Sequence, residues 1–205
     1  MKKLAVFFAL AGCFWSFNAQ AQTSADLKAI EDYLNNIKTL EADFVQTASN
    51  GNTTEGRLFI AKPNKIRMEY AAPTNVLIVG DGSYIVYNDK DLDQVTHIDY
   101  DDIPASLILA NDIKIDGKKF KVKDFYKDAG TISATLEYAQ NKEIGPITLI
   151  FSNNPLELKQ WKIIDPQSVE ITVSLYDAVR DGNLDGGLFK FKKDSSPLKK
   201  KGKRK

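Results

Sequence analysis

Few residues in this 205-residue chain could do acid–base, nucleophilic or metal chemistry, and they are scattered. There is one cysteine, Cys13, and one histidine, His97, which lies in the strand-like stretch QVTHID. A lone histidine with no cysteine beside it lacks the partners that a zinc site or an activated nucleophile needs. We therefore interpret His97 as a surface residue.

Two acidic clusters, DKDLD at 89–93 and DYDD at 99–102, are the other candidates for metal chemistry. Neither has the glycine and terminal glutamate of an EF-hand loop, so we interpret both as solvated loop charge. GDG at 80–82 lacks the helix and lysine that follow a phosphate-binding loop, and the chain has no G-x-S-x-G nucleophile motif. The sequence therefore predicts a protein with no enzymatic activity, no metal and no cofactor.

The elements that would position these residues begin with one amphipathic helix. Apolar residues at Leu27, Ile30, Leu34 and Ile37 have helical spacing, and Ser24 is a suitable N-cap before them. After this helix the period changes to two. The pattern predicts a leading helix followed by strands.

The clearest strand is KIRMEYA, with Ile66, Met68 and Tyr70 on one face and charged residues on the other. NVLIVGDGSYIVYND predicts a hairpin around Asp81-Gly82. DIPASLILAN interrupts the alternation and predicts a short apolar helix with Pro104 in its first turn. With the strand patterns that follow, the count reaches ten or eleven antiparallel strands.

A sheet of this length must close on itself or have its apolar face covered. The predicted helices are few and amphipathic, so covering one face is the economical solution. The predicted fold class is mainly β (α+β): an unclosed antiparallel β-barrel, or strongly curved sheet, with helices covering the concave apolar face.

The first 21 residues resemble a signal peptide, with a charged KK, an apolar run to Phe17 and the small-x-small exit AQA. LAGC at 10–13 also matches the lipidation signal of a bacterial lipoprotein. Because the apolar run continues beyond Cys13, we favour cleavage after Ala21 over lipidation at Cys13. The expected mature chain is one domain, 22–191, with a basic tail, 192–205.

Charge is unevenly distributed between this domain and the tail. Residues 22–191 contain 18 basic and 26 acidic residues, whereas the tail has eight basic residues against Asp194. This is not the basic folded face of a nucleic-acid-binding protein. We expect the tail to be disordered, serving either solubility or attraction to an anionic membrane surface at about 1 kcal/mol per basic residue.

GRLFIAKPNKIRMEYAAP followed by LIVGDGSYIVYNDKDLDQVT resembles the core of the periplasmic outer-membrane lipoprotein carrier (LolA) family. That family has, in the same order, a G-x-L strand, a basic-Pro turn, an alternating strand and a D-G hairpin. The resemblance extends through LEADFVQ, IPASLIL, LKQWKIIDPQSVEITVSLYD and LFKF. The order and spacing of these motifs carry the resemblance, which covers essentially the whole mature chain.

The resemblance implies a helical lid over an apolar cavity that holds the acyl chains of lipoproteins. It implies a periplasmic, monomeric chaperone that receives acylated lipoproteins from an inner-membrane ABC-type releasing transporter and delivers them to the outer membrane. Whether a separate outer-membrane receptor is a partner stays open. Without the resemblance, an ordinary core face is the favoured interpretation of the stripe on KIRMEYA. With it, acyl-chain binding is assigned to Ile66, Met68, Tyr70, Leu107, Ile108 and Leu109.

Two positions depart from the family pattern. Lys62 takes the place of the family's frequent arginine, which holds the lid closed through hydrogen bonds, so we expect a lid latch that lacks the planar guanidinium fork. After LFKF the usual apolar ending is replaced by KKDSSPLKKKGKRK.

Two alternative functions follow from the same residues. Lipidation at Cys13 would make the protein a membrane-anchored receptor of the same fold. A carrier of this fold could also bind free lipid or another apolar ligand. For the lipoprotein carrier, we expect lid opening, rather than chemistry, to control loading and release.

Overall fold

A computed structural model describes residues 19–115, 117–165 and 167–193 of the chain. The predicted leader up to residue 18, with Cys13, and the tail from residue 194 onward lie outside the described residues. The described residues form eleven strands, two α-helices and three short 3-10 helices. Their bounds are α1 Ala19–Asn36, β1 Thr39–Ala48, β2 Thr53–Ala61, β3 Lys65–Tyr70, β4 Val76–Asp81, β5 Ile85–Asp89, β6 Gln94–Ile98, a 3-10 helix Tyr100–Asp102, α2 Ser106–Leu109, β7 Phe120–Lys127, β8 Thr131–Tyr138, a 3-10 helix Lys142–Ile144, β9 Ile147–Asn153, β10 Leu156–Ile164, β11 Glu170–Arg180 and a 3-10 helix Gly186–Phe189.

All eleven strands form one antiparallel sheet that does not close. The order is β6-β5-β4-β3-β2-β1-β11-β10-β9-β8-β7, so β6 and β7 are the two edges of the described sheet. Two meanders meet where β1 pairs with β11. Register shifts place extra residues in β7, β10 and β11, and such bulges bend and twist a sheet. The predicted fold class is confirmed.

Helix α1 lies across the concave face and is longer than the sequence indicated. It is already helical at Ala19, the first described residue, so Ser24 lies inside the helix and is not its N-cap; Ala and Gln propagate a helix readily. Ile30 and Leu34 are completely buried, as their helical spacing predicts. In the part of the chain that the structure describes, neither helix is long and apolar enough to cross a membrane.

The C-terminal segment packs against the outer face of the same sheet. Phe59, Arg67, Val79 and Val86 are cross-strand neighbours on β2 to β5 and therefore share this face. The guanidinium of Arg67 donates to the carbonyl of Leu188 at 3.0 Å, which places the last 3-10 helix over this row. LFKF is thus a strap that covers outward-facing apolar side chains.

An apolar cavity beneath a short helical lid

A cavity of about 680 Å³ lies between the concave face of the sheet and residues 100–109, which we call the lid. This volume falls within the range of ordinary ligand pockets. The wall is built mainly from aliphatic and aromatic side chains that alternate inward along both halves of the sheet. Its apolar members include Ile66, Met68, Tyr70, Ile78, Ile85, Tyr87, Ile98, Ile103, Leu109, Ile144, Trp161, Ile163, Ile164, Ile171 and Val173.

The predicted stripe on β3 lies in this wall. Ile66, Met68 and Tyr70 all line the cavity, because a strand presents every second residue to the same face. The structure thus brings the three together with the lid. Whether they contact acyl chains stays a prediction.

The three predicted lid residues divide between the cavity and the core. Leu109 lines the cavity together with Ser106, three positions earlier on the same face of α2. Leu107 and Ile108 point away from the cavity and are almost completely buried in the hydrophobic core. A single helical turn cannot present three consecutive side chains to one surface, because successive residues lie about 100° apart. Leu107 and Ile108 therefore hold α2 in place but do not form the wall.

Sequence reasoning missed the wall contributed by β10 and β11. Trp161 pairs with Val173, and Ile163 pairs with Ile171, so the four form a two-by-two patch on the cavity face. The alternation in VEITVSLYD and the apolar residues of WKII were the available signal. That signal identifies strands, but it does not say which strands share a cavity.

Two polar groups orient the aromatic part of the wall. The hydroxyl of Tyr70 donates to the side-chain oxygen of Gln46 at 2.8 Å, and its ring packs edge-to-face on Phe44 with centroids 5.1 Å apart. Burial raises the pKa of Tyr70, so the hydroxyl stays neutral. Tyr70 is thus fixed in position and carries no charge in the cavity.

The charged residues of the wall are all carboxylates at its rim: Asp102, Glu143 and Asp165. Asp165 accepts backbone hydrogen bonds in its own turn, from the N–H groups of Gln167 and Val169. In the described ranges, no three His, Cys, Asp or Glu side chains are grouped closely enough to hold a metal. The arrangement is suited to holding apolar chains.

One residue of the β2–β3 turn is bonded to both ends of the lid. The N–H of Asn64 donates to the carbonyl of Leu109 at 3.0 Å, and the carbonyl of Asn64 accepts from the hydroxyl of Tyr100. Asn64 has a φ of 56°, a left-handed conformation that asparagine adopts more readily than most residues. The middle of the lid is held by a buried hydrogen bond of 2.6 Å between the hydroxyls of Ser106 and Tyr138.

Lys62 lies two residues before Asn64, and its ammonium donates to the carbonyl of Leu34 in α1 at 2.7 Å. Burial, together with repulsion from Lys38, lowers the pKa of Lys62 to about 8. The side chain thus joins the β2–β3 turn to α1, and the backbone of Asn64 joins that turn to α2. A latch function for Lys62 itself stays a prediction.

The amino-acid sequence matches a known family along most of its length. Residues 35–192 match the family described as outer membrane lipoprotein carrier protein LolA. An outer-membrane lipoprotein carrier protein of Pseudomonas aeruginosa is 26% identical over 200 residues, which is 93% of this chain and 95% of the relative. The carrier protein of Dechloromonas aromatica is 28% identical over 193 residues, 88% of this chain and 89% of the relative.

A shorter match is closer in sequence. The outer-membrane lipoprotein carrier protein of Chromobacterium violaceum is 49% identical over 81 residues, 38% of each chain. Among solved structures, a LolA superfamily protein of Nitrosomonas europaea aligns with a TM-score of 0.47 and 5% identity, over 80% of this chain and 97% of that chain.

Proposed function

Because this chain belongs to the LolA family of outer membrane lipoprotein carrier proteins, we propose that it carries lipoproteins and shields their acyl chains in the cavity beneath the lid. We further propose that it works in the periplasm as a monomeric chaperone. Its cargo would come from an inner-membrane ABC-type releasing transporter and go to the outer membrane. The two relatives described above, which match along most of the chain, both carry the carrier name.

The single observation that best supports this proposal is the apolar cavity of about 680 Å³ between the sheet and the lid. Ligand pockets are typically clefts of about 300–1,000 Å³ lined mainly by hydrophobic and aromatic side chains, and this cavity has both properties. Its wall consists mainly of aliphatic and aromatic side chains, and the acids lie at the rim. Such a wall favours alkyl chains over polar ligands.

A carrier must also release what it binds. Each buried methylene contributes about 0.8 kcal/mol, so complete enclosure of several acyl chains would make binding nearly irreversible. The ten residues of the lid cover the cavity. Opening the lid would return part of a bound acyl chain to water or to a partner, which makes release possible. Met68, with its flexible thioether, can adapt to chains of different shape. We propose that lid opening controls loading and release.

Photocross-linking from the cavity tests this function. A photoreactive amino acid at Met68 is expected to cross-link to the acyl chains of a purified triacylated lipoprotein. The matched control is the same amino acid at Leu92, an apolar side chain that is 71% exposed on the β5–β6 turn. Cross-links from position 68 only to the polypeptide part of the cargo, or equal acyl cross-linking from both positions, would contradict the proposal.

Intact mass spectrometry of protein purified from its own periplasm distinguishes the carrier from a membrane-anchored receptor. Cleavage after Ala21 yields a chain that begins at residue 22, whereas lipidation adds a diacylglyceryl group to Cys13. We expect the former. The same preparation identifies any lipid that copurifies, which is the result expected of a free-lipid carrier.

A further inference from the structure

The hydroxyl of Tyr100 joins the N-terminal end of the lid to two turns of the sheet. It donates to the carbonyl of Asn64 in the β2–β3 turn, and it accepts from the N–H of Gly82 in the β4–β5 turn at 3.2 Å. Burial raises the pKa of Tyr100, so the hydroxyl keeps the proton that it donates. One oxygen atom therefore holds the lid against two separate elements.

The strand beneath Tyr100 leaves room for this hydroxyl. A methyl group on Gly80 of β4 would overlap the Tyr100 oxygen, and it would also come within 2.9 Å of the Ile66 side chain. Gly80 does not have a positive φ, so its backbone conformation does not require glycine. Glycine is required here because there is no room for a side chain. Gly80 and Tyr100 thus form a complementary pair.

The chain that follows the lid is anchored independently of Tyr100. The side-chain amide of Asn35 in α1 donates to the carbonyl of Ile113 at 2.9 Å and accepts from its N–H at 2.8 Å. The N–H of Ile115 donates to the carboxylate of Glu31 at 3.0 Å. These bonds lie beyond Leu109, so they can persist while the lid moves.

The N-terminal end of the lid has weaker support. Besides Tyr100, the 3-10 helix at that end has an exposed ion pair of 3.9 Å between Asp101 and Lys119, a kind of contact that contributes little to stability. Lys62 bonds to α1 and not to the lid. The two hydrogen bonds of Tyr100 are therefore the main polar restraint on this end.

We propose that Tyr100 is the releasable latch of the lid, a positioning residue whose hydroxyl sets how often the cavity opens. This inference rests on the proposed function, because a latch has meaning only if ligands enter and leave beneath the lid. The chain just beyond the lid, fixed to α1 at Ile113 and Ile115, serves as the hinge. Opening breaks the bonds of Tyr100 to Asn64 and Gly82 at the end farthest from this hinge. The bonds of Ser106 to Tyr138 and of Asn64 to Leu109, nearer the hinge, break after them as the wall is exposed.

The test is the rate at which protein preloaded with a fluorescent triacylated lipopeptide releases it to neutral phosphatidylcholine vesicles. Tyr100→Phe keeps the ring and removes the hydroxyl, and release is expected to be about tenfold faster than from wild type. Tyr126→Phe is the matched control. That tyrosine is exposed on β7, and its hydroxyl donates only to Asp128, at 3.1 Å. It should release at the wild-type rate.

Gly80→Ala tests the same latch from the other side, by displacing the hydroxyl. Release is expected to be faster than from wild type, and Gly80→Ala combined with Tyr100→Phe should be no faster than Tyr100→Phe alone, because both changes break one contact. If Gly80→Ala does not fold, Tyr100→Phe decides the question.

The possible outcomes separate the two proposals. Equal release from wild type and Tyr100→Phe, with normal loading of both, overturns the latch and leaves the carrier intact. Faster release from Tyr126→Phe as well would also overturn it, because the effect would not be specific to the lid. No loading of any variant, wild type included, overturns the carrier function and the latch with it.

Discussion

The fold largely removes the side chain of Lys62 from water, and this burial lowers its affinity for a proton. Burial lowers its pKa to about 8 from an ordinary value of 10.5. A neutral amine still has N–H groups, so the bond to the carbonyl of Leu34 survives deprotonation. The side chain can therefore act as a hydrogen-bond donor in either protonation state.

The first prediction concerns the pH dependence of stability. Between about pH 8 and 10.5 the unfolded chain holds a proton on Lys62 that the folded chain has lost, so unfolding takes up a proton. The free energy of unfolding of wild type should therefore rise with pH in this window, relative to a variant without the amine. Urea denaturation of wild type and Lys62→Met at pH 7 and pH 9.5 measures this difference.

Lys65→Met is a suitable control for that comparison. Lys65 is exposed on the neighbouring strand, and its substitution changes the net charge by the same amount as Lys62→Met. Its stability should follow wild type at both pH values. Parallel pH dependence in wild type and Lys62→Met would mean that Lys62 is not desolvated in the folded protein.

Helix α1 connects the sheet, the β2–β3 turn and the chain beyond the lid. The ammonium of Lys62 donates to the carbonyl of Leu34 in this helix. The side chains of Asn35 and Glu31 bond to the segment that follows α2. The hydroxyl of Tyr33 accepts from the N–H of Leu158 in β10. Residues 31–35 of this helix thus contact three parts of the molecule: the β2–β3 turn, β10 and the chain beyond the lid.

The second prediction is that Asn35→Ala loosens this hinge. It removes two hydrogen bonds and leaves the N–H and carbonyl of Ile113 without their partner, which should lower the free energy of unfolding by about 2 kcal/mol. Hydrogen exchange should become faster in residues 111–115. Asn36→Ala, at the next and exposed position, should change neither quantity by a comparable amount. Similar losses in both variants would contradict a specific role for Asn35.

The C-terminal strap brings the last described residues to the β5–β6 turn. After the 3-10 helix crosses the outer face, the ammonium of Lys193 lies 3.1 Å from the carboxylate of Asp93 in that turn. The basic residues beyond Lys193 lie outside the described part of the chain, so their function is tested in solution.

The third prediction separates solubility from membrane attraction. Deleting residues 198–205 removes six basic residues and should weaken binding to vesicles containing phosphatidylglycerol at about 10 mM salt, where charges act over roughly 30 Å. At about 150 mM salt the difference should largely disappear. Neutral vesicles are the control. Unchanged cosedimentation with anionic vesicles at low salt would leave the tail with a solubilising function only.

The fold class could be read from the sequence because its signal is local. Alternation in KIRMEYA identifies an inward face, and Asp81-Gly82 identifies a hairpin, since each depends on residues within one or two strands. The same holds for the buried face of α1, whose apolar residues recur at helical spacing. The predicted cap at Ser24 was wrong, because the residues before it are also helical and a capping serine is only one of several places where a helix can begin.

The cavity depended on contacts between residues far apart in the chain. Which face of β10 meets β3, which end of a four-residue helix points inward, and what lies opposite Lys62 follow from sheet curvature and from the packing of α1. Tyr100 meets Gly80 and Asn64 only because the first 3-10 helix, the β2–β3 turn and the end of β4 converge at one end of the strands. Periodicity along the chain specifies which face of a strand or helix is apolar. Only the packing of these elements in three dimensions specifies which residues become neighbours. The sequence could therefore predict a covered apolar sheet, whereas its open interior and the contacts that hold the lid required the folded structure.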